Sequence, residues 1–446
     1  MIHSLKKIEI IFNRIVLIYL SIAYVVLKNI FTVNTTFLTY VYMLYCILYF
    51  IIYVLIYKEK IIISKYLFGI LFIFTFILST VVNNRINREN IAIIIDVFIN
   101  LFILLHIFDN STNEEIDNLI TKIFKFFVIF SCVWASIGIV FVCTNSSIAI
   151  FGNVFGLINQ FRLQLVRPSI NPTGFAALTF VACNVFFLFK KKIFNKVFII
   201  ANIIMQLLVI YFTQSFGTFL AAFIGVFIFA IYYGINNKKI VKSVIYTLFG
   251  IIIFLIVSTL IIKFFGAKSR IITDIKNLLE NKDAFVSFRV RYEILVYGII
   301  ILLNNSIIFG SSYGGLKVDW TNGFNLATSK YNFSKFFISE SPIVCSAATH
   351  NVYLTILFAN GIVGAIIFSA FIIFILYNII RFYKNLNNID ISAHKIYLIC
   401  IFLIVSGLVV ALTAECIIVS IVDYTNFFFF ISLSALINMN INNKIV

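Results

Sequence analysis

Residues 351–379 read NVYLTILFANGIVGAIIFSAFIIFILYNI, a stretch with no Asp, Glu, Lys or Arg. Bilayer hydrocarbon is about 30 Å thick and takes about 20 apolar residues in a helical crossing. This stretch is longer than one crossing needs, and water cannot be its main solvent. The rest of the chain agrees: 62% of its 446 residues are hydrophobic and 11% are charged, with a mean hydropathy of +1.08. A soluble domain carries about 25% charged residues. Apolar runs of membrane length recur at about 10–31, 36–57, 61–82, 91–108, 123–143, 173–189, 197–213, 216–235, 240–262, 351–379, 395–414 and 416–437. The expected fold is an all-α polytopic membrane protein with about 12 transmembrane helices, a single domain over 1–446.

The formal net charge of +17 would suggest nucleic acid in a soluble protein. Here Lys and Arg fall in short clusters between apolar runs, where they act first as topology signals, and no nucleic acid partner is expected. With both termini cytoplasmic, the clusters Lys58/Lys60, Lys190/Lys191/Lys192/Lys196, Lys238/Lys239/Lys242 and Arg381/Lys384/Lys395 all fall inside. One short loop runs the other way. Arg85 and Arg88 fall outside, while Asp109, Glu114, Glu115 and Asp117 fall inside; acidic residues weigh little in this rule. Lys6 and Lys7 precede an apolar stretch with no small-residue cleavage site, so an uncleaved first span is expected. Seven scattered cysteines lack metal or redox spacing and read as small apolar fillers. No internal repeat supports an inverted-repeat transporter.

This topology leaves two polar segments facing outward, 144–172 and a large extracytoplasmic loop, 263–350, between spans nine and ten. The second contains an amphipathic or partly immersed helix at 285–305. Trp320, Phe324, Tyr331, Phe333, Phe336 and Phe337 favour an ordered cap over a linker.

Chemistry-bearing residues concentrate at these outer segments. His350 stands at the mouth of the tenth span, where an imidazole with an ordinary pKa of about 6.5 suits proton abstraction; a histidine that caps or packs there is the plain alternative. Arg162, Arg167, Arg289 and Arg291 also face outward. Guanidinium forms bidentate bonds to phosphate, although snorkelling to headgroups explains many such residues. Two short turns stand out, Phe309–Gly315 for its glycines and Thr213–Gly217 for small polar residues that let helices meet closely. There is no paired-Asp motif of the kind that holds magnesium, so no metal and no cofactor are expected.

Together these pieces resemble the O-antigen ligase and O-antigen polymerase superfamily. The resemblance rests on Arg291-Tyr292-Glu293, a glycine turn at Phe309-Gly310 a helix-length later, and His350-Asn351 opening a span whose first half ends in Gly361-Ile362-Val363-Gly364. Arg167 followed by Asn171-Pro172 resembles the family's upstream arginine segment, and Thr213–Gly217 its Ser-Arg-Gly turn, with Phe216 in place of the arginine. The likeness covers about 160–440 in order. It implies a glycosyltransferase C-like fold and a polymerase of undecaprenyl-pyrophosphate-linked oligosaccharide repeat units. His350 would be the catalytic base, and Arg167 and Arg291, with Arg289 as substitute, would bind pyrophosphate. Implied partners are the lipid-linked donor, a glycan acceptor, the bilayer, a flippase and a chain-length regulator. An O-antigen ligase acting on lipid A-core remains open, as does a lipid-linked oligosaccharide flippase. The latter would place ionisable residues along its spans, where only Arg14, Lys65 and Asp96 qualify.

Overall fold

A backbone in hydrocarbon must satisfy its own N–H and C=O groups, so long apolar runs become helices. A computed structural model describes residues 2–30, 35–56, 66–150, 153–158, 162–165, 170–190, 193–236, 241–242, 245, 248–250, 286–316, 351–385, 391–412 and 424–442. Its helices are α1 (Ile2–Ile30), α2 (Thr35–Ile56), α3 (Leu67–Val82), α4 (Arg88–Phe98), α5 (Asn113–Cys143), α6 (Ile170–Phe189), α7 (Lys196–Thr213), α8 (Phe216–Asn236), α9 (Val286–Asn304), α10 (Val352–Asn385), α11 (Ile391–Val410) and α12 (Tyr424–Asn442). A π-helical stretch, Ile99–Leu104, continues α4.

Among the described residues, five helical segments are long and apolar enough to cross a membrane: Phe37–Leu55, Asn113–Cys143, Lys196–Thr213, Val352–Phe382 and Tyr424–Asn442. Shorter apolar helices, such as Leu67–Val82 and Pro172–Leu188, accompany them. Large apolar side chains, among them Leu44, Phe74, Val133, Val140, Ile366 and Ile373, are exposed on α2, α3, α5 and α10. An apolar surface so widely spread belongs against lipid. The chain is an all-α polytopic membrane protein. Most of the ninth apolar run, 240–262, lies outside the described residues, as do 317–350 with the six aromatic residues expected to order the large loop.

The structure adds two features to the sequence reading. The segment 144–172 contains a small antiparallel sheet, β1 (Ser147–Ile150), β2 (Asn153–Ile158) and β3 (Arg162–Gln164), in the order β1-β2-β3. Its Leu163 and the following Leu165 press on Gly138 of α5. The second feature is the start of α5, ten residues ahead of the apolar run expected from 123. Thr112 Oγ accepts from Glu115 N at 3.2 Å and Glu115 Oε2 accepts from Thr112 N at 2.9 Å. This capping box, with Glu114 and Glu115 in the first turn, suits the positive end of a helix. Acidic residues that read as loop therefore begin a helix. Asp117, just beyond that turn, accepts from Lys190 Nζ at 2.7 Å, just past the end of α6, so the two lie at one end of the bundle, as the charge pattern required.

At the centre, α12 is almost entirely buried. A helix shielded from lipid on all sides can carry polar groups, and Asn426 Nδ2 donates to Asn100 Oδ1 of the π-helical stretch at 3.0 Å. A second polar knot ties α5, α6 and α7. Asn202 Nδ2 donates to Val128 O, Ser131 Oγ and Asn184 Oδ1 at 3.0, 3.1 and 2.9 Å, and its Oδ1 accepts from Gln206 Nε2 at 3.1 Å. Polar contacts between membrane helices average about 0.6 kcal/mol and reach about 1.7. Because Asn202 serves four partners, Asn202→Ala should cost about 1–2 kcal/mol, read as a lower midpoint of detergent-induced unfolding with the helical content retained.

Candidate functional site

Helix α10 is broken. At Gly361 the backbone leaves the helix, with φ 66° and ψ −161°, nine residues after the helix starts. At 1.5 Å per residue the break is about 14 Å along the axis. Interrupting a helix orphans the carbonyls before the break and the N–H groups after it. In hydrocarbon these must be met by protein.

They are met by the turn that follows α9. Ser311 N and Ser312 N donate to Phe358 O and Ala359 O, each at 2.9 Å. In return Ile307 O and Ile308 O accept from Ile362 N and Val363 N at 3.0 and 3.3 Å. One turn thus supplies donors to the upper half-helix and acceptors to the lower. The fit requires close backbone approach. A Cβ on Gly310 would sit 2.5 Å from the Ala359 carbonyl, and one on Gly361 would sit 2.3 Å from Ile308 O. Both glycines have positive φ, which favours a residue without a side chain.

The turn is held in its turn by the α3–α4 corner. Ser79 Oγ donates to Ala359 O at 2.5 Å and accepts from Ser312 N at 2.9 Å. Asn83 Nδ2 donates to Gly310 O at 2.9 Å, and Asn90 Oδ1 accepts from Gly314 N at 2.8 Å. Arg85 lies against Gly315 and reaches Ser311 O at 3.5 Å. None of these four residues was singled out for the site from sequence. The one signal was Arg85, whose positive charge breaks the pattern of the loops.

Helices α9 and α10 run side by side in the same direction. The Phe358 ring occupies the space beside Gly298, where a Cβ would come within 2.0 Å of it. Further along, Ile307 and Ile308 meet Ile362 and Val363. Ile294, Tyr297, Ile301, Phe358 and Ala359 form one apolar cluster with Leu316. The face of α9 toward α10 is therefore apolar from Ile294 on, and the expected helix at 285–305 is seated on protein along that face. Arg289 and Arg291 lie in the first two turns of α9. Arg291 is seven residues before Gly298, and Asn351 is seven residues before Phe358. Asn351 is the N-cap of α10, its Oδ1 accepting from Leu354 N at 3.2 Å. His350 immediately precedes it and lies outside the described residues, as does Arg167.

The second expected element assembles around the start of α6. Leu165 N, just beyond β3, donates to Thr173 Oγ at 2.9 Å. Gly174 packs under the hydroxyls of Thr213 and Thr218, at 3.0 and 2.4 Å from where its Cβ would be. The chain on both sides of Arg167 is thus pinned beside the α7–α8 turn, whose Thr213, Gln214 and Ser215 are all buried. Gln214 takes a left-handed φ of 50° to make that turn. The expectation that small polar residues there bring helices together holds.

A bundle of lipid-facing helices, one of them interrupted and completed by a glycine turn from its neighbour, defines an integral membrane protein with a site built on irregular backbone. Residues 200–369 match the family model described as O-antigen ligase, a likeness of that segment that supports the O-antigen ligase and polymerase superfamily. Members of that family are glycosyltransferase-like enzymes. The matched segment contains α9, the glycine turn, His350 and the break at Gly361, and it begins after Arg167. No curated protein matches the chain.

Proposed function

We propose that this protein polymerises undecaprenyl-pyrophosphate-linked oligosaccharide repeat units, as in O-antigen or capsular polysaccharide synthesis, by metal-independent inverting glycosyl transfer. One observation carries the reading: α9 and the first half of α10 are parallel and locked in register at Gly298 and Phe358. Seven residues of helix span about 10.5 Å, so counting back from that contact brings Arg291 level with Asn351, beside His350. The N-terminus of α10 at that level supplies a partial positive charge suited to an anionic pyrophosphate.

In this reading Arg291 and Arg167 hold the pyrophosphate, with Arg289 as substitute for Arg291. His350 takes the proton of the acceptor hydroxyl as that oxygen bonds to the anomeric carbon. The anomeric carbon's bond to the pyrophosphate oxygen breaks, and undecaprenyl pyrophosphate leaves with the bonding pair, its charge offset by the arginines. No covalent nucleophile is assigned, so the anomeric configuration inverts. The reading also takes about twelve crossings, termini in the cytoplasm of a bacterial inner (plasma) membrane, and the loops 144–172 and 263–350 facing outward. A flippase would deliver the donor and a chain-length regulator would limit the product.

The transporter alternative loses one of its charges. Arg14 is buried with its guanidinium bonded to Ser111 Oγ and, at 2.8 Å, to Asp109 O, which is a clasp between α1 and the turn before α5. Ligation to lipid A-core is the second reading, favoured by the description of the matched family.

The test is the surface glycan of a host lacking its own copy, complemented with wild type or Arg291→Ala. A charge-assisted bond contributes about 1.5–3 kcal/mol, so Arg291→Ala should cut long-chain product by about 10- to 100-fold while single capped repeats persist. Loss of all surface glycan would favour ligation, and an unchanged ladder would remove Arg291 from the site. Retention of anomeric configuration would refute single displacement.

A further inference from the structure

We propose that Ser79 and Asn83, on and just after α3 and outside the segment that matches the family, are positioning residues for the transfer reaction. The inference rests on the reading above and adds to it a third element, the α3–α4 corner. Ser79 is fully buried, and its hydroxyl is shared between two chains that must not slide. It donates to Ala359 O of the half-helix that follows His350 and accepts from Ser312 N of the turn that follows Arg291's helix. Ser312 itself has a left-handed φ of 64° and is buried. Such a conformation in a non-glycine residue persists only where the surroundings over-determine it.

Asn83 performs the second half of the task. Its Nδ2 bridges Ser79 O at 2.7 Å and Gly310 O at 2.9 Å, tying the end of α3 to the tip of the turn. Asn90 repeats the pattern one step along, accepting from Gly314 N and donating to Arg85 O at 2.6 Å. The register between α9 and α10 is thus braced from outside by a corner of the chain more than 200 positions away in sequence. Without Ser79 and Asn83 the turn keeps its glycine contacts and the Asn90 and Arg85 contacts near its end, and loses both anchors at Gly310–Ser312 and Ala359. Arg291 and His350 would then be free to shift relative to each other. A displacement of about 1 Å at reacting groups can cost about 10²-fold in rate.

The experiment uses full-length protein with two readouts on each variant. The first is long-chain surface glycan in the complemented host, normalised to the amount of protein in the membrane. The second is the distance distribution between spin labels at Leu303 on α9 and Ile366 on the lower half of α10, both exposed, in purified protein whose native cysteines are replaced. Ser79→Ala and Asn83→Ala should each lower glycan output by about 10- to 100-fold and broaden or shift the distance. Ser79→Thr, which keeps the hydroxyl, should restore both. Asn83 is only partly buried, so Asn83→Ala still tests the idea should Ser79→Ala fail to accumulate. Unchanged glycan in both alanine variants overturns the proposal, whatever the distances do. Lost glycan with an unchanged distance overturns it too, since the residues would then act other than by position. His350→Ala run in parallel separates the two layers: wild-type glycan there sinks the reading of the site itself, and the distances alone still report whether Ser79 anchors the turn.

Discussion

Replacing His350 by alanine should lower the rate of glycosyl transfer by about 10²–10⁴-fold, the usual worth of a positioned general base, while the protein still folds and reaches the membrane. The folding half of this expectation follows from the cap. Asn351, not His350, supplies the oxygen that meets the first turn of α10, so truncating His350 leaves the helix start intact. The activity half follows from the chemistry. An acceptor hydroxyl is a poor nucleophile until its proton is removed, and no other imidazole is expected at that face. The wild-type rate should rise with pH through the range in which imidazole ordinarily titrates, about 6–7, because only the neutral ring can accept a proton. In His350→Ala that limb should vanish along with most of the activity. A variant that keeps both the rate and the limb would move the base elsewhere, and one that loses the rate but keeps the limb would assign the titration to another group.

How far such a site can be read from sequence depends on which forces write locally. Crossing helices do: a run such as 351–379 has no choice in hydrocarbon, and α2, α7 and α8 begin and end within a residue or so of the apolar runs that foretold them. Charges at helix starts are harder. Glu114, Glu115 and Asp117 read as loop because a membrane favours none of them, yet a capping box starts α5 ahead of all three. The break in α10 is written even more faintly. Asn360-Gly361 sits inside an apolar run, and nothing in its composition demands an interruption; only the family pattern marks the halfway point. Ser79, Asn83 and Asn90 were invisible for a different reason. Their partners are backbone atoms of residues 310–314 and 359, and backbone leaves no trace in side-chain identity. Arg85 did leave one, as a positive charge where the loop pattern wanted none.

The largest structural effect should come from Gly361→Ala. The torsions there, φ 66° and ψ −161°, fall in a region that is essentially glycine-only, and forcing another residue into it costs about 1–3 kcal/mol. The new methyl would also lie 2.3 Å from Ile308 O and 2.4 Å from Ile308 C. That carbonyl cannot retreat freely, because it accepts from Val363 N. Strain and overlap together should exceed about 4 kcal/mol, the level at which a single substitution becomes diagnostic of a special site. The chain has two ways to respond. It can fail to fold, which appears as loss of protein from the membrane. Or it can straighten α10, since alanine is the best helix former, expelling the 306–312 turn and swinging the half-helix that follows His350 out of line with α9. On the proposed function either response should abolish glycan synthesis, and the spin-label distance between α9 and α10 tells them apart in whatever protein accumulates. Gly250→Ala is the control, because nothing lies within 4 Å of where its Cβ would go; it should accumulate and work as wild type. Full activity in Gly361→Ala would mean that the interruption is dispensable, and the parallel alignment of the two helices could then no longer be the basis of the site.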